Sequence, residues 1–195
     1  MSVLETADLD FRIGQVDLIN NVALTVQPSS MHAILGPNGA GKTTVLRLCL
    51  GNIKPNKGIV RLRGTPIVEM PLRLQATIRS YAGPTEYIAF PFTARELCLL
   101  GVRPTSERGT VEQANSIVDE VLELLDVSRF ADRILMTLSS GEQERVLVAR
   151  ALAQVWGQSG ERIVLLDEPT AQLDLRINIS QCEPCGPRRI VELRS

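Results

Sequence analysis

A glycine-rich stretch in the first quarter of the chain carries the clearest chemistry. Residues 36–43 read Gly-Pro-Asn-Gly-Ala-Gly-Lys-Thr and fit the pattern G-x-x-x-x-G-K-[ST] at every fixed position. Glycines let successive backbone N–H groups curl around a phosphate, and a helix that begins near Lys42 would aim its N-terminus at the anion. Lys42 would neutralise the β- and γ-phosphate oxygens, and the Thr43 hydroxyl would take one Mg²⁺ position. The stretch therefore predicts a phosphate-binding loop; the alternative is a glycine-rich turn without a ligand.

Two carboxylates follow an apolar run much later in the chain. Residues 163–166 read Ile-Val-Leu-Leu and precede Asp167 and Glu168, which places both acids at the end of a predicted strand, where α/β proteins bind ligands. Asp167 is predicted to hold Mg²⁺ through water, and Glu168 to orient or deprotonate the attacking water. Acids at strand ends are also common as solvated residues, so this interpretation depends on the phosphate loop upstream.

The strands and helices that must position these residues are predicted from the spacing of apolar side chains along the sequence. Short apolar runs bounded by turn residues predict strands, and apolar residues spaced three and four apart predict helices. The predicted strands lie at 22–26, at 31–35 and at 163–166, with a hairpin within 52–64, and the predicted helices lie at 43–50, within 94–130 and at 143–156.

The composition is that of an ordinary globular domain. The 195 residues are 44% hydrophobic and 22% charged, which is enough for one domain with a core. A net charge of −1 and an aromatic content of 4% argue against a nucleic-acid partner, because they give neither a positive field nor base-stacking platforms. The N-terminus lacks a signal-peptide pattern and no apolar run could span a bilayer, so a membrane role would require a partner.

Three motifs, in order and spacing, resemble those of ABC (ATP-binding cassette) ATPases. The first is the loop at 36–44; the second, Leu-Ser-Ser-Gly-Glu-Gln at 138–143, is similar to the signature L-S-G-G-Q with Ser140 and Glu142 substituted; the third, at 166–174, resembles a Walker B strand joined to a D-loop. The resemblance implies a P-loop NTPase core of ABC type, an α/β fold with a β-rich N-terminal part and a helical subdomain at about 85–155. It covers one ATP-binding domain over 1–176, followed by a divergent tail at 177–195.

The resemblance also implies a reaction and a geometry. MgATP is hydrolysed to ADP and phosphate in a head-to-tail homodimer, in which ATP lies between the phosphate loop of one subunit and the signature of the other. The implied cofactors are ATP and Mg²⁺. The implied ATP-binding residues are Gly36, Pro37, Asn38, Gly39, Ala40, Gly41, Lys42, Thr43, Thr44, Ser139 and Gly141; the metal ligands are Thr43 and Asp167; the catalytic residues are Glu168 and Lys42.

Finer features resemble the ATPases of hemin importers. They are the segment 88–93 followed by Glu96, the run 151–156 and the run 173–176. This resemblance implies the energy-coupling subunit of an importer, peripheral on the cytoplasmic face of the inner membrane, with two permease subunits and a substrate-binding protein. The segment 88–96 would meet a coupling helix of the permease. A ferric-siderophore or cobalamin importer, a soluble ABC ATPase without a transport role, and a defective truncated relic are open alternatives.

Three positions depart from the family pattern. Pro84 stands where the Q-loop glutamine is expected, and Ile13 where an aromatic ring would stack on adenine, although Phe11 could substitute in another register. The tail from Ile177 to Ser195 holds no histidine to contact the γ-phosphate. We therefore expect a chain whose C-terminal part is incomplete, by truncation or a change of reading frame after about residue 176, and which binds nucleotide but hydrolyses it slowly.

Overall fold

The chain folds into two sheets with helices packed against them. The computed structural model describes residues 2–83, 88, 90–102, 109–168 and 190–191. In the antiparallel sheet the strand order is β2-β1-β3-β4, and in the parallel sheet it is β5-β6-β7. The strands are β1 Leu4–Ile13, β2 Val16–Val26, β3 Lys57–Leu62, β4 Thr65–Pro66, β5 Arg79–Ala82, β6 Ile163–Leu166 and β7 Ile190–Val191.

Within the described residues, five α-helices follow or connect these strands. Three of them begin with the reciprocal side-chain and backbone bonds of a capping box, from Thr93 with Glu96, from Thr110 with Gln113 and from Ser139 with Glu142, which fixes where each helix starts. Short 3₁₀ turns lie at Ile67–Glu69, Ser128–Phe130 and Leu135–Thr137. The helices are α1 Lys42–Cys49, α2 Leu72–Ile78, α3 Ala94–Gly101, α4 Val111–Leu124 and α5 Ser140–Val155.

Strand β6 lies between two hydrophobic cores. Val164 and Leu166 belong to a helical core built by α3, α4 and α5. Ile163 and Leu165 point the other way, as alternate residues of a strand must, into a mixed core built by β1, β2, β3 and α1. All four side chains are at most 3% exposed. The residue that follows this strand is therefore held by both halves of the molecule.

Most of the predicted elements are confirmed. The strand predicted at 22–26 is the second half of β2, and the strand at 163–166 is β6. The helices predicted at 43–50 and 143–156 are α1 and α5, and α3 and α4 lie within 94–130. The hairpin predicted within 52–64 consists of β3 and the short β4 just beyond it. The α/β class, with a β-rich N-terminal part and a helical region, is thus confirmed, whereas the domain bounds stay a prediction.

The strand predicted at 31–35 is wrong. This segment carries no strand, and Met31 and Leu35 are 51% and 69% exposed. A strand forms through ladder hydrogen bonds to a neighbour, and among the described strands β6 already pairs with β5 on one side and with β7 on the other. Only one face of the segment is covered: Ile34 packs against the mixed core.

Candidate functional site

The glycine-rich loop forms an open turn against β2. Residues 37–40 are exposed, and Gly39 and Gly41 adopt φ angles of 84° and 87°, a left-handed conformation that side chains disfavour. A Cβ on Gly41 would also lie 2.8 Å from the Ile19 side chain and 3.0 Å from the Leu18 carbonyl oxygen. Gly41 is therefore required both for its backbone angle and for the close approach of the loop to β2.

Helix α1 begins where the loop ends. Its first helical hydrogen bond runs from Val45 N to the Gly41 oxygen at 2.9 Å, so the backbone N–H groups of residues 42–44 have no acceptor within the helix. Thr44 is half-buried in this first turn. Such N–H groups, together with the positive end of the helix dipole, form an anion-binding arrangement.

The Lys42 side chain folds back beneath the loop. It is 7% exposed, and its Nζ donates to the carbonyl oxygens of Gly36 at 2.8 Å and Pro37 at 3.1 Å. Neutral carbonyl oxygens do not compensate a full positive charge in a buried place. An anion within the loop would therefore be favoured electrostatically.

Asp167 connects the loop to the parallel sheet. Its carboxylate is 3% exposed and follows β6 directly. Oδ1 accepts a hydrogen bond from the Thr43 hydroxyl at 3.1 Å, across 124 residues of sequence, and Oδ2 accepts one from the Tyr81 hydroxyl at 3.1 Å. The sequence predicted that Thr43 and Asp167 meet. It gave no role to Tyr81, which sequence patterns do not single out.

The neighbouring acid faces solvent. Glu168 is exposed and has a φ of 50°, which is uncommon for a residue with a long side chain and often marks a functional position. The turn of the backbone at this point directs Asp167 into the molecule and leaves the Glu168 carboxylate accessible to water. The two acids are therefore differentiated by burial, as their predicted roles require.

The hydrogen bonds of the signature-like stretch are local. Ser139 precedes α5, and its N–H and hydroxyl both donate to the Glu142 carboxylate, at 2.8 Å and 2.7 Å. These bonds hold the pKa of Glu142 below its ordinary value. Gly141 lies half-buried in the first turn of α5. Among the described residues, Ser139 makes its hydrogen bonds to Glu142 and Gln143, so these bonds do not join the stretch to the loop.

The positions that depart from the family pattern are only partly described. Ile13 lies at the end of the β1–β2 hairpin and is 63% exposed, whereas Phe11 packs partly into the mixed core. Pro84, the predicted D-loop at 169–174 and Ile177 lie outside the described residues. None of the helices described is long and apolar enough to cross a bilayer.

The donor set beside the loop fits Mg²⁺. The Thr43 hydroxyl and the Asp167 carboxylate are hard oxygen ligands at one point. Mg²⁺ is usually held by one or two carboxylates together with phosphate and water oxygens rather than by an all-protein cage. His, Cys, Asp and Glu side chains do not gather in groups of three within the described part of the chain.

Comparison with known proteins gives a consistent result. The profile of the ABC transporter family matches residues 19–171. The hemin import ATP-binding protein HmuV of Bradyrhizobium diazoefficiens is 40% identical over 190 residues, which cover 96% of this chain and 69% of that protein. The proteins of the same name from Methylobacillus flagellatus and Gloeobacter violaceus are 39% and 37% identical, with 88% and 89% of this chain and 64% of each relative covered. The chain thus spans about two thirds of the length of these relatives.

Solved structures resemble the fold. A subunit of a metal-chelate type ABC transporter in an inward-facing conformation superposes with a TM-score of 0.72 at 22% identity, over 98% of this chain and 72% of that one. The cbiO1 subunit of the cbiONQ transporter complex from Clostridium perfringens gives a TM-score of 0.79 at 20% identity, over 100% and 79%. At such low identity these similarities concern the fold alone.

Proposed function

We propose that this chain, which belongs to the ABC transporter family, binds MgATP and is the energy-coupling ATPase subunit of an importer of hemin. The single observation that carries the nucleotide site is the contact between Thr43 and Asp167, 3.1 Å apart beneath the glycine-rich loop. It brings together a phosphate-binding loop and a carboxylate that lie 124 residues apart.

The residues of the site would divide the work of binding and hydrolysis. The loop amides and Lys42 would hold the phosphates, and Thr43 and Asp167 would hold Mg²⁺, which supplies charge neutralisation between the β- and γ-phosphates. Glu168, exposed at the end of β6, would accept the proton of the attacking water. Ser139 and Gly141 of a second subunit would contact the γ-phosphate. To do so, the hydroxyl of Ser139 would exchange the Glu142 carboxylate for a phosphate oxygen.

Weak contact with the adenine base is part of the proposal. Ile13 is exposed at the end of its hairpin and offers adenine an apolar contact but no π-face, and stacking of a base on an aromatic ring is worth about 1–3 kcal/mol. Nucleotide binding would therefore be weaker on the base side than on the phosphate side.

The hemin assignment is supported by the names of the relatives, and docking on a permease is supported by an apolar patch. The relatives at 37–40% identity are named as hemin import proteins. The patch consists of Phe90, Phe92, Ile134 and Met136, and we call it the Phe90 patch; Phe90 and Met136 are 68% and 70% exposed. The two rings lie 5.7 Å apart, and a backbone bond from Leu135 N to the Phe92 oxygen joins the two segments.

This patch would dock on the permease. Exposed apolar clusters on soluble proteins commonly mark interaction sites. Glu96 is less suited to a test, because its carboxylate caps α3 through Thr93 and its pKa is lowered by that backbone bond. Phe92 is also less suited, because it packs partly against the helical core.

Phe90→Asp is therefore the sharper test of the transport role. The variant should lose co-purification with the hemin permease from detergent-extracted membranes while it keeps MgATP binding, since Phe90 takes no part in the bonds of Lys42, Thr43 and Asp167 described above. Leu72→Asp, at a residue 77% exposed on α2, is the matched control and should keep the permease. If neither the parent nor the control recovers a permease, the transport role is contradicted and a soluble ATPase is favoured.

A further inference from the structure

The Asp167 carboxylate has a partner that belongs to no motif of the chain. We infer that Tyr81 is a positioning residue for this carboxylate, holding Oδ2 so that Oδ1 faces Thr43 and the metal position. The contact that carries this inference is the 3.1 Å hydrogen bond from the Tyr81 hydroxyl to Oδ2. The inference rests on the proposed function, because the orientation of the carboxylate matters for binding only if the chain takes MgATP.

Strand pairing brings Tyr81 to this place. Strand β5 runs parallel to β6 with Tyr81 opposite Leu165, two residues before Asp167. The pairing continues past the end of β6, where Asp167 N donates to the Ala82 oxygen at 2.9 Å. The Tyr81 ring packs partly against the mixed core. The ring is thus fixed at its base, and its hydroxyl extends toward the carboxylate.

Gly83 leaves the space that the ring needs. A Cβ at this position would lie 2.0 Å from the Tyr81 hydroxyl oxygen and 2.4 Å from Cζ of the ring, distances at which the ring must move. Gly83 does not have a positive φ, so the requirement for glycine here is one of space and not of backbone conformation. Tyr81 and Gly83 therefore act as a pair.

The two hydroxyl donors fix the carboxylate before any ligand arrives. Rotation about the Cβ–Cγ bond of aspartate is otherwise broad, and Thr43 alone holds only one of the two oxygens. With Tyr81 on Oδ2, the carboxylate is already oriented and the cost of ordering it on metal binding is reduced. Partners of metal ligands typically contribute about 10–100-fold to metal affinity.

The test is the Mg²⁺ dependence of ATP binding. Tyr81→Phe keeps the ring and removes the hydroxyl, so we expect a loss of about tenfold in affinity for ATP with Mg²⁺ and little change in EDTA. Ser80→Ala is the matched control, because its hydroxyl is buried on the same strand without a hydrogen-bond partner and points to the opposite face. This variant should bind as the parent does under both conditions.

A second variant tests the pair. Gly83→Ala should push the ring away and cost a similar part of the Mg²⁺-dependent affinity. In the double variant the two losses should not add, because no hydroxyl remains to be displaced. In the nucleotide-free protein, Tyr81→Phe and Asp167→Asn should likewise lower the unfolding midpoint by less together than the sum of their separate effects.

The outcomes separate the inference from the proposed function. If the parent fails to bind ATP with or without Mg²⁺, the proposed function is wrong and the role of Tyr81 falls with it. If the parent shows Mg²⁺-dependent binding and Tyr81→Phe keeps it in full, or loses affinity equally in EDTA, the inference alone is overturned.

Discussion

The glycine-rich loop and the signature-like stretch are both candidate phosphate sites at a helix N-terminus, yet their bonding differs. The loop is tied to distant parts of the chain, through Thr43 to Asp167 and through the close approach of Gly41 to β2. Within the part of the chain that the structure describes, Ser139 is bonded to its own helix turn, mainly to the Glu142 carboxylate. The loop site is assembled by folding of one chain, whereas the signature offers an exposed donor whose phosphate must come from elsewhere.

This difference indicates whether a substitution at each site should act within one subunit or between two subunits. The carboxylate of Asp167 is buried between two cores and held by two hydroxyls, so changes beside it affect the site within one subunit. The Ser139 hydroxyl is exposed and already satisfied, so changes there should affect nucleotide binding only when a second subunit presents a nucleotide. The predictions below separate these two cases.

The largest effect is expected at Glu168. Glu168→Gln should lower phosphate release by at least about a hundredfold, because an amide cannot accept the proton of the attacking water, while MgATP affinity is kept. Glu161→Gln, an exposed acid before the other end of β6, is the control and should release phosphate at the parent rate. Unchanged turnover in Glu168→Gln would move the catalytic base to another residue.

A smaller effect is expected at the signature. Ser139→Ala should leave binding of MgATP to the monomer unchanged and weaken ATP-driven dimerisation by at least about tenfold, since one hydrogen bond to a charged group is lost at each of the two nucleotide sites of the dimer. Sedimentation velocity with and without MgATP measures both quantities, and Ser140→Ala serves as the neighbouring control. A loss of monomer binding in Ser139→Ala would contradict the assignment of Ser139 to a partner's nucleotide.

The smallest effect concerns the cap of α5. Glu142→Gln should lower the melting temperature at pH 7 by about 2 °C, because the charge-assisted bonds from Ser139 weaken. These bonds lower the pKa of Glu142 in the folded protein. The stability that they contribute is therefore fully present above the ordinary glutamate pKa of about 4.3 and is lost as the pH falls through the lower pKa of the folded protein. Melting curves between pH 3 and 7 should show the difference in melting temperature between the parent and Glu142→Gln disappearing only at the acidic end. A difference that stays constant with pH would contradict the role of Glu142 as a cap.

The sequence predicted the parts of the site that depend on fixed spacing. The positions of Lys42 and Thr43 follow from the loop motif, and that of Asp167 follows from the end of an apolar run, because local geometry determines all three. The Ser139–Glu142 bonds also have a sequence signal, the S-x-x-E capping pattern, since a helix cap is the alternative interpretation of this signature-like stretch. The roles of these residues in catalysis stay predictions.

Other features of the structure depend on which strands and segments become neighbours in the fold. Local sequence patterns do not determine this pairing. Tyr81 reaches Asp167 only because β5 pairs with β6 in a particular register. The run at 31–35 has the same apolar character as β6 but remains irregular, because apolar residues alone do not supply a ladder partner. The same limit applies to the Phe90 patch, which forms because two distant segments of the sequence are joined by the bond from Leu135 to Phe92.

The most direct test of the central claim is equilibrium binding of MgATP to the parent and to Lys42→Ala. We expect the parent to bind one MgATP per chain, and the variant to bind about a hundredfold more weakly, because the phosphate charge loses its paired ammonium. Lys57→Ala, at an exposed lysine on β3, should bind as the parent does. Equal affinity of the parent and Lys42→Ala would contradict the nucleotide site on which this account rests.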